Sequence, residues 1–205
     1  MEEETKLQGQ EPEEPDFGQG TLARVGMFFI ELIKVAVLAG ITIALVRYFL
    51  FKPFYVKGAS MEPNFIEKDY LIIDELTYRF REPERGETVV FDAPIGDGSY
   101  YLKRVIGLPG EQIKVEDNKV VVFNEKYPQG YVLEEDYIQD LGKTSGFVSV
   151  TLGPNQYFVL GDNRLASFDS RRFGPVPGND IVGKAWVRGW PFSRAATFEK
   201  PDYNF

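Results

Sequence analysis

Residues 112–123 read Gln-Ile-Lys-Val-Glu-Asp-Asn-Lys-Val-Val-Val-Phe. Two short β-favouring runs, Gln112–Val115 and Lys119–Phe123, flank Asp117-Asn118, a pair that tolerates the left-handed backbone of a tight hairpin. The same grammar extends in both directions. Tyr70–Ile73, Thr88–Phe91, Tyr100–Ile106, Phe147–Thr151, Tyr157–Leu160 and Ile181–Val187 are further runs of strand length. Turn chemistry separates them at Arg85-Gly86, Asp97-Gly98, Pro109-Gly110, Gly153-Pro154 and Gly161-Asp162-Asn163. Eight short strands with few helical stretches predict a mainly β domain over residues 52–205. Within it, residues 124–146 are polar and irregular, and read as a surface excursion.

Toward the N-terminus the period changes. From Val25 to Phe51 the chain runs VGMFFIELIKVAVLAGITIALVRYFLF, broken by Glu31, Lys34 and Arg47 alone. As a helix, Met27–Phe51 covers about 36 Å, enough for a hydrocarbon core of about 30 Å. A buried soluble helix should carry a polar stripe, which Val35–Val46 lacks. A cleavable leader should end in small residues, whereas Arg47, Tyr48 and Phe49 follow. The reading is therefore one transmembrane anchor, residues 25–51, with Tyr48, Phe49, Phe51, Phe54 and Tyr55 as an interfacial belt. Arg24 precedes the span and Arg47, Lys52 and Lys57 follow it, so charge bias does not favour a cytoplasmic N-terminus. Residues 1–24 hold Glu2, Glu3, Glu4, Glu11, Glu13, Glu14 and Asp16 against Lys6 and Arg24, and read as an acidic disordered tail.

Over the 205 residues, 23 Lys and Arg face 31 Asp and Glu, a net charge of −8, and residues 1–20 account for −6 of it. The remainder is near neutral, so no nucleic-acid footprint is present. Histidine and cysteine are both absent. That excludes a Ser-His-Asp triad, a Cys-His dyad, a Cys/His zinc site and disulfides; no metal or cofactor is expected. Acid–base chemistry near neutral pH then falls to a carboxylate, lysine or tyrosine with a displaced pKa.

Three local patterns offer such chemistry. Gly58-Ala59-Ser60-Met61-Glu62-Pro63 puts a serine in a turn soon after the anchor. Tyr101-Leu102-Lys103-Arg104-Val105-Ile106-Gly107-Leu108-Pro109-Gly110-Glu111 puts Lys103 on a strand face with Tyr101 and Val105, where burial can strip its solvent. Gly161-Asp162-Asn163-Arg164-Leu165-Ala166-Ser167-Phe168-Asp169-Ser170-Arg171 packs polar groups into a loop after a strand. Each alone has an ordinary structural explanation: a loop serine, a snorkelling lysine, a self-bonded turn. Together they supply a nucleophile, a base that serves once it is desolvated, and groups that hold it.

The set resembles the type I signal peptidases, membrane-bound Ser-Lys endopeptidases that remove signal peptides from exported proteins. Their serine box, Ser-Met-x-Pro-Thr, is matched by Ser60-Met61-Glu62-Pro63 and departs at Asn64. Their lysine box is matched from Lys103 to Glu111. Their Gly-Asp-Asn-Arg loop is Gly161–Arg164, and the later Ser-x-Asp-Ser-Arg element is Ser167–Arg171. Leu165-Ala166 replaces the usual Asp-Asn between them. The resemblance covers about residues 27–188 and implies a signal-peptidase-like β domain behind one membrane helix, working outside the cytosol on preproteins with small residues before the cut. It implies Ser60 as nucleophile, Lys103 as base and Ser167 as a hydrogen-bond partner of the amine. Gly58 stands where relatives often place an oxyanion-stabilising hydroxyl, leaving a backbone donor at most from that position. Met61, Tyr101 and Leu102 are expected to shape a shallow substrate pocket. Arg104 with Asp162, and Arg171 with Asp169, are expected as scaffold ion pairs. The partners implied are preproteins and the lipid bilayer. Two readings remain beside it: a self-cleaving Ser-Lys repressor, which should carry a DNA-binding module in place of the acidic tail, and a membrane-tethered non-catalytic β module that binds peptides.

Overall fold

A computed structural model describes residues 19–49, 51–96, 98–138 and 144–203, without the side chains of residues 19–23, 45–49 and 51–52. Most of the proposed tail, residues 1–18, and Asp97 of one proposed turn lie outside the described residues, as do the side chains of Arg47, Tyr48, Phe49, Phe51 and Lys52.

The chain forms two compact units, residues 1–45 and 46–205. The first contains most of α1, Gln19–Phe49, which begins six residues before the apolar run because Gln19–Arg24 continue the helix. Residues 24–44 have a mean hydropathy of 2.1 and all their side chains are exposed. An apolar surface of that length has no favourable place in water.

The second unit is β. Its strands are β1 (Phe51–Tyr55), β2 (Tyr70–Asp74), β3 (Thr88–Asp92), β4 (Tyr100–Gly107), β5 (Gln112–Glu116), β6 (Lys119–Phe123), β7 (Tyr131–Val132), β8 (Val148–Thr151), β9 (Gln156–Leu160), β10 (Val176–Pro177), β11 (Ile181–Trp190) and β12 (Ala196–Thr197). A four-residue helix α2, Ser170–Phe173, precedes β10; Asp169 caps it by accepting from the Arg171 N–H. One sheet orders the strands β1-β2-β11-β3-β4-β9-β10, with β12 on β11; the other orders them β7-β6-β5-β8. All pairings are antiparallel. The β5–β6 hairpin turns at Asp117 (φ 49°) and Asn118 (φ 59°), the doubly left-handed backbone that its twist requires.

The apolar strand positions divide among three cores. Ile106, Ile113, Val115, Val120, Val122, Phe158 and Leu160 tie the small sheet to β4 and β9. Val89, Phe91, Val105, Tyr157 and Val159 pack on one face of the large sheet, and Val56, Met61, Phe65, Leu71, Ile73 and Val90 form a third cluster around the serine turn. Strand β9 is buried on both faces, which explains why Tyr157–Leu160 is an unbroken apolar run rather than an alternating one.

The stretch 124–146 has many exposed residues, among them Glu125, Lys126, Gln129, Glu134 and Asp136, and is also tied to the core. It contains β7, buries Leu133 in the first core, and sends Glu135 and Thr144 to the buried guanidinium of Arg164. Its polarity thus serves both solvent exposure and that ion pair.

Candidate active site

Ser60 lies in the turn after β1. Gly58 has φ +78°, a left-handed conformation that glycine adopts without strain, and its Cα faces open space. Met61 and Phe65, each 1% exposed, nail the far side of the turn into the third core. Among the described residues the Ser60 N–H donates to no acceptor, whereas its carbonyl accepts from the Asn163 N–H at 3.0 Å.

Lys103 comes from β4. Strand β9 pairs with β4 from Arg104 onward, so Tyr100–Lys103 form a free edge on that side. The amine bends from this edge to the serine: Nζ is 2.9 Å from Ser60 Oγ and 2.9 Å from the Leu102 carbonyl oxygen. Lys103 is 4% exposed. Burial pulls its pKa down to about 8, although the Asp169 and Asp162 carboxylates pull in the other direction. The Tyr101 ring lies 5.4 Å from Nζ and forms part of the cover.

The loop after β9 joins the serine turn to the lysine strand. Asp162 accepts from Arg104 Nε at 2.8 Å and Nη2 at 2.6 Å, and from Asn64 Nδ2 at 2.9 Å. One buried carboxylate thus bonds the neighbour of Lys103 and a residue of the serine box. Asn64, the departure from the family pattern, fills this role with its amide, which also donates to the Tyr137 carbonyl at 2.9 Å. Gly161 is squeezed between the two segments: a Cβ there would run into Ser167 Oγ and the Ser60 carbonyl oxygen. Asp169 takes a fork from Arg171, Nε and Nη2 both at 2.8 Å, and accepts from the Gly161 N–H at 3.1 Å. Burial alone would raise the Asp169 carboxyl; the Arg171 bonds hold it below the usual carboxylate range, with help from Ser167 and Gly161. Arg171 Nη2 also donates to the Arg164 carbonyl at 2.6 Å.

Not every expected contact forms. Ser167 is buried beside Asp169 but makes no hydrogen bond to Lys103, because the amine turns toward Ser60 and the Leu102 carbonyl. Tyr101 and Leu102 both line the cleft beside Ser60, with Met61, and do so from opposite faces of β4. Leu102 packs with Met61 and Val90, while Tyr101 packs with Phe91 and Phe168 on the opposite face. Sequence reasoning also missed Asn64, Glu135 and Tyr137. The Arg164 guanidinium meets Glu135 at 2.6 and 2.5 Å and Tyr137 Oη at 3.2 Å, and no local motif marks such a distant partner.

A cleft of about 350 Å3 opens onto Ser60 and Lys103. Residues 54–61 form one wall, the free edge of β4 another, Leu71 and Val90 the floor, and Ala166 and Phe168 the end. A larger groove of about 800 Å3, bordered by Arg81, Glu87, Lys184 and Phe198, holds neither Ser60 nor Lys103. The candidate serine and lysine lie in the smaller cleft. No group of three or more His, Cys, Asp and Glu side chains among the described residues is arranged to hold a metal ion. A nucleophilic hydroxyl, a desolvated amine and an unpaired N–H around one apolar cleft can perform acyl transfer.

Comparison with known proteins shows the family. A family described as signal peptidase, peptidase S26, matches residues 29–190. The chain is 39% identical over 171 residues to a probable signal peptidase I-2 of Synechocystis, covering 81% of this chain and 75% of that protein. It is 37% identical over 163 residues to signal peptidase I of Bacillus caldolyticus, covering 75% and 87%. A crystal structure of a signal peptidase I from Enterococcus faecalis aligns with 51% of this chain and 97% of its own, at 30% identity and a TM-score of 0.43. The chain belongs to the signal peptidase family, peptidase S26.

Proposed function

We propose that the protein cleaves signal peptides from preproteins with Ser60 as nucleophile and Lys103 as general base. As a signal peptidase it hydrolyses peptide bonds; the Ser-Lys assignment is the finer step. Uncharged Lys103 takes the Ser60 Oγ proton as Oγ attacks the scissile carbonyl. The oxyanion is met by the Ser60 N–H. As the C–N bond breaks, the Lys103 ammonium gives its proton to the departing amine, leaving an ester on Ser60. Lys103, again neutral, takes a proton from water as the water oxygen attacks the ester, and the resulting ammonium returns that proton to the departing Ser60 Oγ, so the acid leaves and both side chains regain their starting states. The observation that carries this reading is an amine 4% exposed with its nitrogen 2.9 Å from the hydroxyl oxygen.

The substrate lies as an added strand along the free edge of β4, with small side chains at the first and third positions before the cut directed at the floor. Helix α1 spans the bilayer and holds the β domain outside the cytosol, where the apolar segment of a signal peptide ends. The test is cleavage of a preprotein with an Ala-x-Ala site by the detergent-purified protein, beside Ser60→Ala and Lys103→Ala. Loss of cleavage in both variants is expected. Cleavage surviving either one overturns the dyad, and no cleavage by the unaltered chain leaves the non-catalytic peptide-binding module.

A further inference from the structure

Leu165-Ala166 is apolar where the family pattern is polar, Phe168 adds an aromatic ring two residues on, and the position of this loop gives the difference a use. Strand β9 ends at Leu160, opposite Arg104, and the chain then turns so that Ala166 and Phe168 close the cleft beside the free edge of β4. Along β4, successive side chains alternate faces. Leu102 faces the floor with Met61, Leu71 and Val90, all three nearly fully buried, so space on that side is limited. Tyr101 faces the other way, and there the Phe168 ring meets it edge-on with centroids 6.5 Å apart. Phe168 remains 41% exposed and Leu165 64% exposed. An apolar lip thus stands open on the face opposite the closed floor.

A peptide added to this edge alternates in step with β4. Residues whose side chains fall on the Leu102 face must be small. The residues between them fall on the Phe168 face, where a large apolar side chain finds contact and meets no wall. We infer that Phe168, flanked by Ala166 and Leu165, is a specificity-determining residue that favours a large apolar side chain at the second position before the cut or the first after it. The inference rests on the proposed reaction and on the small residues facing the floor.

The experiment uses full-length protein in detergent and preproteins with identical Ala-x-Ala sites. These carry Leu, Phe, Ser or Asp at the second position before the cut or the first after it, and kcat/KM is measured for each. At one of the two positions Leu or Phe should exceed Asp by about tenfold or more, the scale of apolar pocket discrimination. Phe168→Ser should bring that ratio close to one, and Phe168→Leu should keep most of it. Should Phe168→Ser not fold, Leu165→Asp at the exposed rim must shrink the same ratio. Equal kcat/KM across the unaltered enzyme's substrates, or a ratio untouched by these changes, overturns the inference and leaves the protease reading standing. Failure to cleave any substrate sinks that reading, and the inference with it.

Discussion

Removing the Asp162 carboxylate should separate two properties that this residue links. In Asp162→Ala the Arg104 guanidinium, 5% exposed, loses bonds of 2.8 and 2.6 Å and keeps the Gly86 carbonyl at 2.7 Å. Asn64 loses one of the two acceptors of its amide. Breaking a buried pair from one side leaves an uncompensated charge and costs about 3–5 kcal/mol. For a unit of residues 46–205, each kcal/mol moves the melting temperature by about 2–4 °C, so a fall of about 6–20 °C is expected. The same carboxylate supports the charged form of Lys103. Its loss should therefore shift the acid limb of the pH–rate profile to lower pH, while kcat falls through a looser Ser60–Lys103 geometry. The assays are thermal unfolding followed by circular dichroism and a pH series of kcat/KM, both on full-length protein in detergent. A melt within about 2 °C of the unaltered protein, or an acid limb displaced upward, refutes the role given to Asp162. Arg104→Met combined with Asp162→Leu removes both charges and should recover part of the lost stability.

Other outcomes follow from the same geometry. With Lys103 at about pKa 8, kcat/KM should rise about tenfold per pH unit below pH 8 and level off above it; a flat profile from pH 6 to 9 contradicts the assignment. The unfolded chain holds that proton up to about pH 10.5, so this residue makes stability rise with pH between about 8 and 10.5, as urea titrations across the window can test. Gly161→Ala forces Ser167 and the Ser60 carbonyl apart and should lower kcat by about 100-fold while circular dichroism shows the fold retained; near-normal turnover counts against the close approach. The chain has no cysteine, so Gln8→Cys and Glu67→Cys report topology without background. In sealed, right-side-out vesicles a membrane-impermeant maleimide should label Glu67→Cys and spare Gln8→Cys, and the reverse pattern inverts the proposed orientation.

The strands were legible because their signals are local, whereas Ser60 and Lys103 stood out as candidates only when the three patterns were taken together. Alternating runs and paired turn residues mark β5 and β6, and the absence of histidine narrows the base for Ser60 to few residue types. Strands β1, β7, β10 and β12 escaped notice: three are two residues long, and β1 adjoins an apolar run that obscures its own period. What could not be read was the cross-chain wiring. Glu135 meets Arg164 across 29 positions and Asn64 meets Asp162 across 98, and neither spacing follows from a helix or strand repeat. The expected hydrogen bond from Ser167 to Lys103 was a family contact carried over by position, whereas the side chain sits against Gly161 and Asp169.

The central claim is that one buried amine stays uncharged within reach of one hydroxyl. Its most direct test is a site-specific titration of the Lys103 side-chain resonance by NMR, on isotope-labelled protein, assigned by its disappearance in Lys103→Ala. A midpoint at about pH 8 is expected from its burial. A midpoint near 10.5, the value of a lysine open to water, contradicts the account.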